Sequence, residues 1–282
     1  MGTYVVFNCL AKTRRRRNCD GAARFISAYY VAQFAKVGQY MKHILSVGVL
    51  AFLGMGALAG VVQKYPHVVT RFLAEKIPVE INDERSFEEQ LNDKGFAMGD
   101  PVFMRIFKEE AVLEVWMQKG DAFGLFKTYP ICNYSGNLGP KLREGDRQSP
   151  EGFYFVGKSA LNPNSSYHLS FNLGFPDAYD HARDRTGSYL MVHGDCLSIG
   201  CYAMTDAGIE EIYGLGEAAL NAGQSFFRVH AFPFRMTDAR MAQAVEDRWY
   251  PFWRNLKQGY DAFEAGFVPP DVTVENGYYV FG

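Results

Sequence analysis

Nineteen consecutive residues without a charge, Ile44 to Val62 (ILSVGVLAFLGMGALAGVV), set the first limit on what this chain can become. As a helix the run would extend about 28 Å, roughly one bilayer hydrocarbon core. Four glycines within it, Gly48, Gly54, Gly56 and Gly60, weaken it as a helix in water. Met41, Lys42 and His43 stand directly before it, and Ala57-Leu58-Ala59 lies near its end. From Met41 onward this reads as a secretory signal: a short basic start, an apolar stretch, then a small-residue pattern. An uncleaved anchor is the competing reading, with Arg14–Arg17 holding the N-terminus inside. A buried core helix is the third. Residues 1–40 are then expected to be a non-native or disordered extension, with Met41 the native start and 41–62 the signal or anchor. Everything beyond about residue 60 is expected outside the cytoplasmic membrane, tethered to it only through 44–62 if the segment stays uncleaved.

The remainder has a globular composition. Hydrophobic residues make up 48% and charged residues 21%, which excludes a disordered chain. Lys+Arg at 29 against Asp+Glu at 31 gives −2, so a protein that coats nucleic acid is excluded, and the four arginines alone do not make a patch. Five cysteines (Cys9, Cys19, Cys132, Cys196, Cys201) with no C-x-x-C pair argue against a disulfide scaffold and against a zinc ribbon.

Residues 63–101 read as an N-terminal helical segment. One helix follows Tyr65-Pro66 and stops at Pro78, and a second lies near Ser86–Leu91 with Ser86 and Glu89 in capping-box spacing. From Val102 short runs alternate apolar and polar residues, with a turn at Lys119-Gly120-Asp121. Further strands are expected at Gly152–Val156, His168–Phe171, Tyr189–His193, Ser225–Phe234 and Tyr278–Phe281. Two long loops, Tyr134–Pro150 and Leu173–Gly187, separate some of them. Thr205 and Thr237 each precede an acid and cap a helix. A helix rich in aromatics runs through Trp249, Phe252 and Trp253. The fold class is α+β, with a β-rich unit over 102–235 and a C-terminal helical extension, 236–282, packed on it.

The chemistry concentrates in Met191–Thr205 (MVHGDCLSIGCYAMT). A cysteine nucleophile needs a base within hydrogen-bond reach and backbone N–H groups aimed at the developing oxyanion. His193 ends an expected strand and Cys201 follows a tight loop, so both can meet at one rim. Gly200 lets a carbonyl approach the backbone before Cys201, and Ser198 can orient the loop or the imidazole. The structural alternatives are that Cys196 and Cys201 are small buried apolar residues, or that they form a disulfide with each other. Cys132 is read as structural. Asp180, His181 and Asp184 lack the spacing of a closed metal site, and no metal or organic cofactor is implied.

His193-Gly194 followed by Ser198-x-Gly200-Cys201 resembles the L,D-transpeptidase catalytic-domain (YkuD-type) family of cell-wall enzymes. Upstream, Lys127-Thr128-Tyr129-Pro130 and Ser149-Pro150-Glu151-Gly152-Phe153-Tyr154 are similar to that family's first-strand and T-P-x-G-x-F signatures. The stretches 139–148, 167–176 and 226–230 resemble one branch of it, a murein enzyme of Gram-negative bacteria. The resemblance implies a β-rich sandwich with long loops, an exported enzyme in the periplasm, and peptidoglycan as partner. A wall-anchored lipoprotein or outer-membrane protein is the further partner it suggests. It implies a thiol attack by Cys201 on a peptide carbonyl at the L-side of meso-diaminopimelate, with His193 as base and the Cys201 and Gly200 N–H groups as oxyanion hole. The resulting thioester passes to an amine or to water.

Two departures stand out. Seven residues separate His193 from Cys201 where the common pattern has a longer loop, and Ala203 occupies the position of its Arg or Asn. The second weakens the case for ordinary cross-linking and suits the murein branch, similar to a hydrolase that releases lipoprotein. Arg228 and His230, two apart on a strand, and Arg143 and Arg147 in the long loop are the candidates to replace that arginine as a carboxylate contact. His168 is a further candidate substrate contact, read as lying on a strand. A non-catalytic wall-binding module remains as the reading of a different class. On this basis Cys196→Ser is expected to be nearly neutral.

Overall fold

The computed structural model describes residues 85–282. The apolar run 44–62, the extension before it and the expected helix after Tyr65 lie outside the described residues. Among the described residues no helix is long and apolar enough to cross a membrane.

The first element, α1 (Phe87–Lys94), begins where the capping pattern places it. The Ser86 hydroxyl accepts the Glu89 N–H, and the Glu89 carboxylate accepts the Ser86 N–H. Gly95 ends it in the left-handed conformation. Strand β1 (Val102–Phe107) follows, then β2 (Val112–Lys119) and β3 (Ala122–Pro130), joined by a turn at Gly120-Asp121. The short β4 (Asn133–Tyr134) precedes a long loop. Beyond that loop come β5 (Gly152–Gly157), β6 (Leu161–Asn162), β7 (Ser170–Asn172), a short α2 (Ala178–His181), β8 (Met191–His193) and β9 (Tyr202–Ala203). Then α3 (Asp206–Asn221), β10 (Phe226–Phe232), α4 (Asp238–Gln243), α5 (Tyr250–Gly266), β11 (Val272–Glu275) and β12 (Tyr278–Phe281) complete the chain. Thr205 and Thr237 cap α3 and α4 through their hydroxyls.

Two five-stranded sheets result, ordered β3-β2-β1-β10-β5 and β4-β9-β8-β7-β6, with β11 and β12 as a separate hairpin. In β1 the residues alternate between two interiors. Val102, Met104 and Ile106 join Phe171, Val192 and Tyr202 of the second sheet and Ile209 and Ile212 of α3 in one core. Phe103 packs instead with Phe263 of α5, and Phe107 with Phe232 and Tyr260. Burial on both faces explains why β1 reads as VFMRIF, almost continuously apolar. Its one charge, Arg105, is buried against Glu114 and lies over the Trp116 and Phe263 rings. The α+β, β-rich sandwich is therefore the observed architecture. The C-terminal segment is not wholly helical: the hairpin β11–β12 carries Tyr279, which stacks on Tyr179.

Candidate active site

The site is built on the parallel pair β8 and β9. Val192 faces Tyr202 and His193 faces Ala203 across the pair. Val192 and Tyr202 point into the core, so the alternate residues His193 and Ala203 lie on the opposite face. Cys201 immediately precedes β9. Its sulfur receives the Met191 N–H at 3.4 Å and reaches the Tyr189 carbonyl at 3.6 Å. These contacts set the thiol beside the start of β8, whose far end carries His193.

Parallel neighbours ordinarily need a long crossover. Here residues 194–201 make the connection alone; Asp195 and Cys196 are strained, with φ of 66° and 47°, and Gly200 takes a φ of 151° that glycine adopts freely. Three devices hold it. Cys196 is bonded to Cys132, across 64 residues of chain. The Asp195 N–H donates to Asp206 at the start of α3. The Cys201 carbonyl accepts two hydroxyls, from Ser198 at 2.7 Å and Ser149 at 2.9 Å. Ser198 also accepts the Gly200 N–H at 3.3 Å, so this serine orders the loop and not the imidazole.

His193 is buried, with the Tyr167 ring 4.8 Å away and Nδ1 2.6 Å from the Gly194 carbonyl. A carbonyl only accepts, so Nδ1 carries the proton and Nε2 holds the lone pair that can act as base. Burial lowers the imidazole pKa, with the Gly194 bond and the Asp195 charge working against it. Burial also pushes the Cys201 thiol up, opposed by the Met191 N–H and the Lys141 ammonium. No hydrogen bond joins the two side chains among the described residues.

The loop over the site is organised by a group that pattern reading does not reach. Lys108 is fully buried, and its ammonium donates to the Asn137, Gly139 and Ser149 carbonyls and to Glu151 within 3.0 Å. Glu151 in turn receives the Trp253 indole N–H and the Gly139 N–H. This staple positions Ser149, and through it the Cys201 carbonyl. Its bonded partners lie up to 102 residues apart in sequence, so periodicity carries no sign of it. A lysine closing an apolar strand just before a turn is the one available signal.

Two expectations, on Cys196 and on the placement of His168, are corrected, and the structure also places the other candidate residues. Cys196 is neither free nor paired with Cys201: its partner is Cys132, and Cys201 is the free cysteine among the described residues. The span of 64 residues, longer than any local pattern, hid the pairing. His168 is not on a strand. It lies before β7 with φ of 68°, exposed, its Nε2 2.7 Å from Glu210. His230 is enclosed by Phe103, Phe153 and Phe232, away from solvent and facing α5 rather than the second sheet. Arg228 pairs with Asp271 and lies over the Phe226 ring. Arg147 lies in the exposed part of the long loop with φ of 55°. None of these four hydrogen-bonds Cys201 or His193 among the described residues. Asp180 belongs to a buried ion pair with Arg185.

Residues 104–220 match the family model described as the L,D-transpeptidase catalytic domain, YkuD. The Escherichia coli K12 protein named "Putative L,D-transpeptidase YafK" is 51% identical over 183 residues, covering 65% of this chain and 74% of that one. The chain belongs to the L,D-transpeptidase catalytic-domain family. The same identity holds for the E. coli O157:H7 protein of that name. Among solved structures, the Campylobacter jejuni helical cell shape determining protein Pgp2 (K307A mutant) overlaps 62% of each chain at 17% identity with a TM-score of 0.39. Bdellovibrio bacteriovorus Bd1075 overlaps 63% of this chain and 78% of its own at 16% identity and a TM-score of 0.35. Within this L,D-transpeptidase domain, Ala203 lies directly beside His193, so the family's Arg or Asn at that position would flank the imidazole, and here a methyl group does.

Proposed function

We infer that this L,D-transpeptidase-family chain is an exported cysteine acyltransferase acting on peptidoglycan stem peptides. The observation that carries the reading is the free Cys201 thiol set beside β8 with the buried His193 imidazole at the far end of that strand. Cys201 Sγ attacks the carbonyl on the L-side of meso-diaminopimelate while His193 Nε2 takes the thiol proton. The Cys201 N–H, with Gly200 leaving room for the approach, stabilises the oxyanion. Collapse expels the amine, which leaves with the proton from His193, and a thioester remains. An acceptor amine then gives a new amide, or water gives a free carboxylate. The Cys132–Cys196 disulfide supports an oxidising compartment such as the periplasm.

Hydrolysis is the second reading, favoured by Ala203: with no guanidinium beside His193, an acceptor carboxylate has one fewer cation to hold it in place. The test is incubation of the full chain and its Cys201→Ala variant with sacculi that still carry bound protein, with products read by mass spectrometry. New cross-links or terminal amino-acid exchange, seen only with wild type, identify transfer. Released protein with a free diaminopimelate end identifies hydrolysis. An unchanged wall with the wild-type protein overturns both, in favour of a wall-binding module.

A further inference from the structure

The second sheet carries a polar row that leads to the imidazole. Asn162 faces Ser170 across β6 and β7, and Ser170 faces His193 across β7 and β8. The neighbouring residues Leu161, Phe171 and Val192 form the alternate row, with Phe171 and Val192 buried in the core. Directly opposed residues place their Cβ atoms about 5 Å apart on one face. Ser170 therefore flanks His193 on one side, as Ala203 does on the other.

Ser170 is fully buried, and its hydroxyl has no hydrogen-bond partner among the described protein groups. It lines a groove of about 530 Å³. Tyr189 and Met191, whose backbone groups hydrogen-bond the Cys201 sulfur, line the same groove. Ser159, Asn162 and Asn172 supply the rest of its polar wall, and no charged side chain lines it. A buried hydroxyl without a partner is costly, and the cost is recovered when a donor or acceptor meets it. A carboxylate entering such a groove would lose water and gain no cation. An amide would find both donors and acceptors.

We propose that Ser170 is a substrate-binding residue whose hydroxyl hydrogen-bonds an uncharged amide of the acyl-donor stem peptide in the groove beside Cys201. The inference rests on the peptidoglycan reading above and adds the group that seats the donor. Because the hydroxyl has no partner in the free protein, removing it leaves stability intact, whereas removing a structural hydroxyl lowers it.

The experiment compares wild type, Ser170→Ala and Ser170→Thr as full chains, with a purified disaccharide tetrapeptide as substrate. For Ser170→Ala, kcat/KM is expected to fall about ten- to a hundredfold. Its melting temperature should match or exceed that of wild type, and the rate and pH dependence of Cys201 alkylation by iodoacetamide should be unchanged. Ser170→Thr, which keeps the hydroxyl, should recover most of the lost kcat/KM. Unchanged kcat/KM in Ser170→Ala overturns the proposal, and so does a melting temperature several degrees lower. A parallel fall in alkylation rate also overturns it, since Ser170 would then act through the Cys–His pair. A wild type inert toward every muropeptide removes the peptidoglycan reading and this inference with it. An active wild type with an unaffected Ser170→Ala removes this inference alone.

Discussion

Replacing both Cys132 and Cys196 by serine tests the link between the site's geometry and the stability of the fold. The bridge closes a loop of 64 residues. On the chain-entropy account a loop of that size contributes about 4 kcal/mol, by restricting the unfolded chain. For a domain of this size each kcal/mol corresponds to about 2–4 °C, so the double variant should melt about 8–16 °C below wild type. The bridge also anchors the connection that holds Asp195 and Cys196 at positive φ, so catalysis should suffer beyond the loss of stability. At a temperature where both proteins are folded, the double variant should show a clear fall in kcat. The assay is thermal unfolding with and without dithiothreitol, with thiol titration confirming reduction, followed by turnover at 20–25 °C. Reductant should lower the wild-type melting temperature to that of the double variant and leave the variant unmoved. A wild type that is fully reduced yet melts unchanged would show that the bridge adds no stability. The single Cys196→Ser change, nearly neutral by the sequence alone, should instead cost most of the same stability.

Further outcomes follow from the same contacts. His193→Ala should lower kcat/KM by about a hundredfold or more, since the thiol loses its base; an active variant removes that role. Lys108→Met leaves Glu151 buried beside uncompensated carbonyls, and should cost about 3–5 kcal/mol in chemical denaturation. Hydrogen exchange should rise over residues 134–151 first, and equal exchange there would show that the staple does not order the loop. Burial holds the His230 imidazole well below its ordinary pKa, helped by the Arg228 and Arg105 charges. It is neutral when folded and takes up a proton near pH 6.5 when unfolded. Its contribution is therefore complete above pH 6.5 and is lost as pH falls below that value, by up to about 1.4 kcal/mol per unit. Burial depresses His193 as well, and its loss adds in the same direction. Denaturant titrations at pH 7 and pH 5.5 should show a smaller difference for His230→Phe than for wild type, and equal differences would contradict the assignment.

Local chemistry is what the sequence displays most directly. Ser86 with Glu89, Thr205 and Thr237 act within four residues of themselves, so their caps are readable as strings. Short apolar runs broken by the Lys119-Gly120-Asp121 turn mark Val102–Pro130 as sheet, and the structure places the first three strands there, the first of them buried on both faces rather than alternating. The short connection between His193 and Cys201 is equally local. What escaped is what folding brings from afar. Cys132 reaches Cys196, Lys108 reaches Glu151, and Asn162, Ser170 and His193 align only when three strands pair. The strand Val272–Glu275 is too short to read from its pattern: Val272 and Val274 are half-buried, Thr273 and Glu275 are exposed, and it takes its meaning from pairing with Tyr278–Phe281. His168 was misplaced for a related reason: apolar neighbours suggest a strand, while its left-handed backbone ends the pairing two residues before Ser170.

The central claim is that Cys201 forms a thioester with the peptidoglycan stem. Full-length protein mixed with disaccharide tetrapeptide, quenched in acid within seconds and digested, would be read by mass spectrometry at the peptide containing Cys201. The expected result is an adduct on that cysteine ending at diaminopimelate, lost with hydroxylamine and missing from Cys201→Ala. Substrate turned over with no such adduct, or with the same adduct on Cys201→Ala protein, would contradict it.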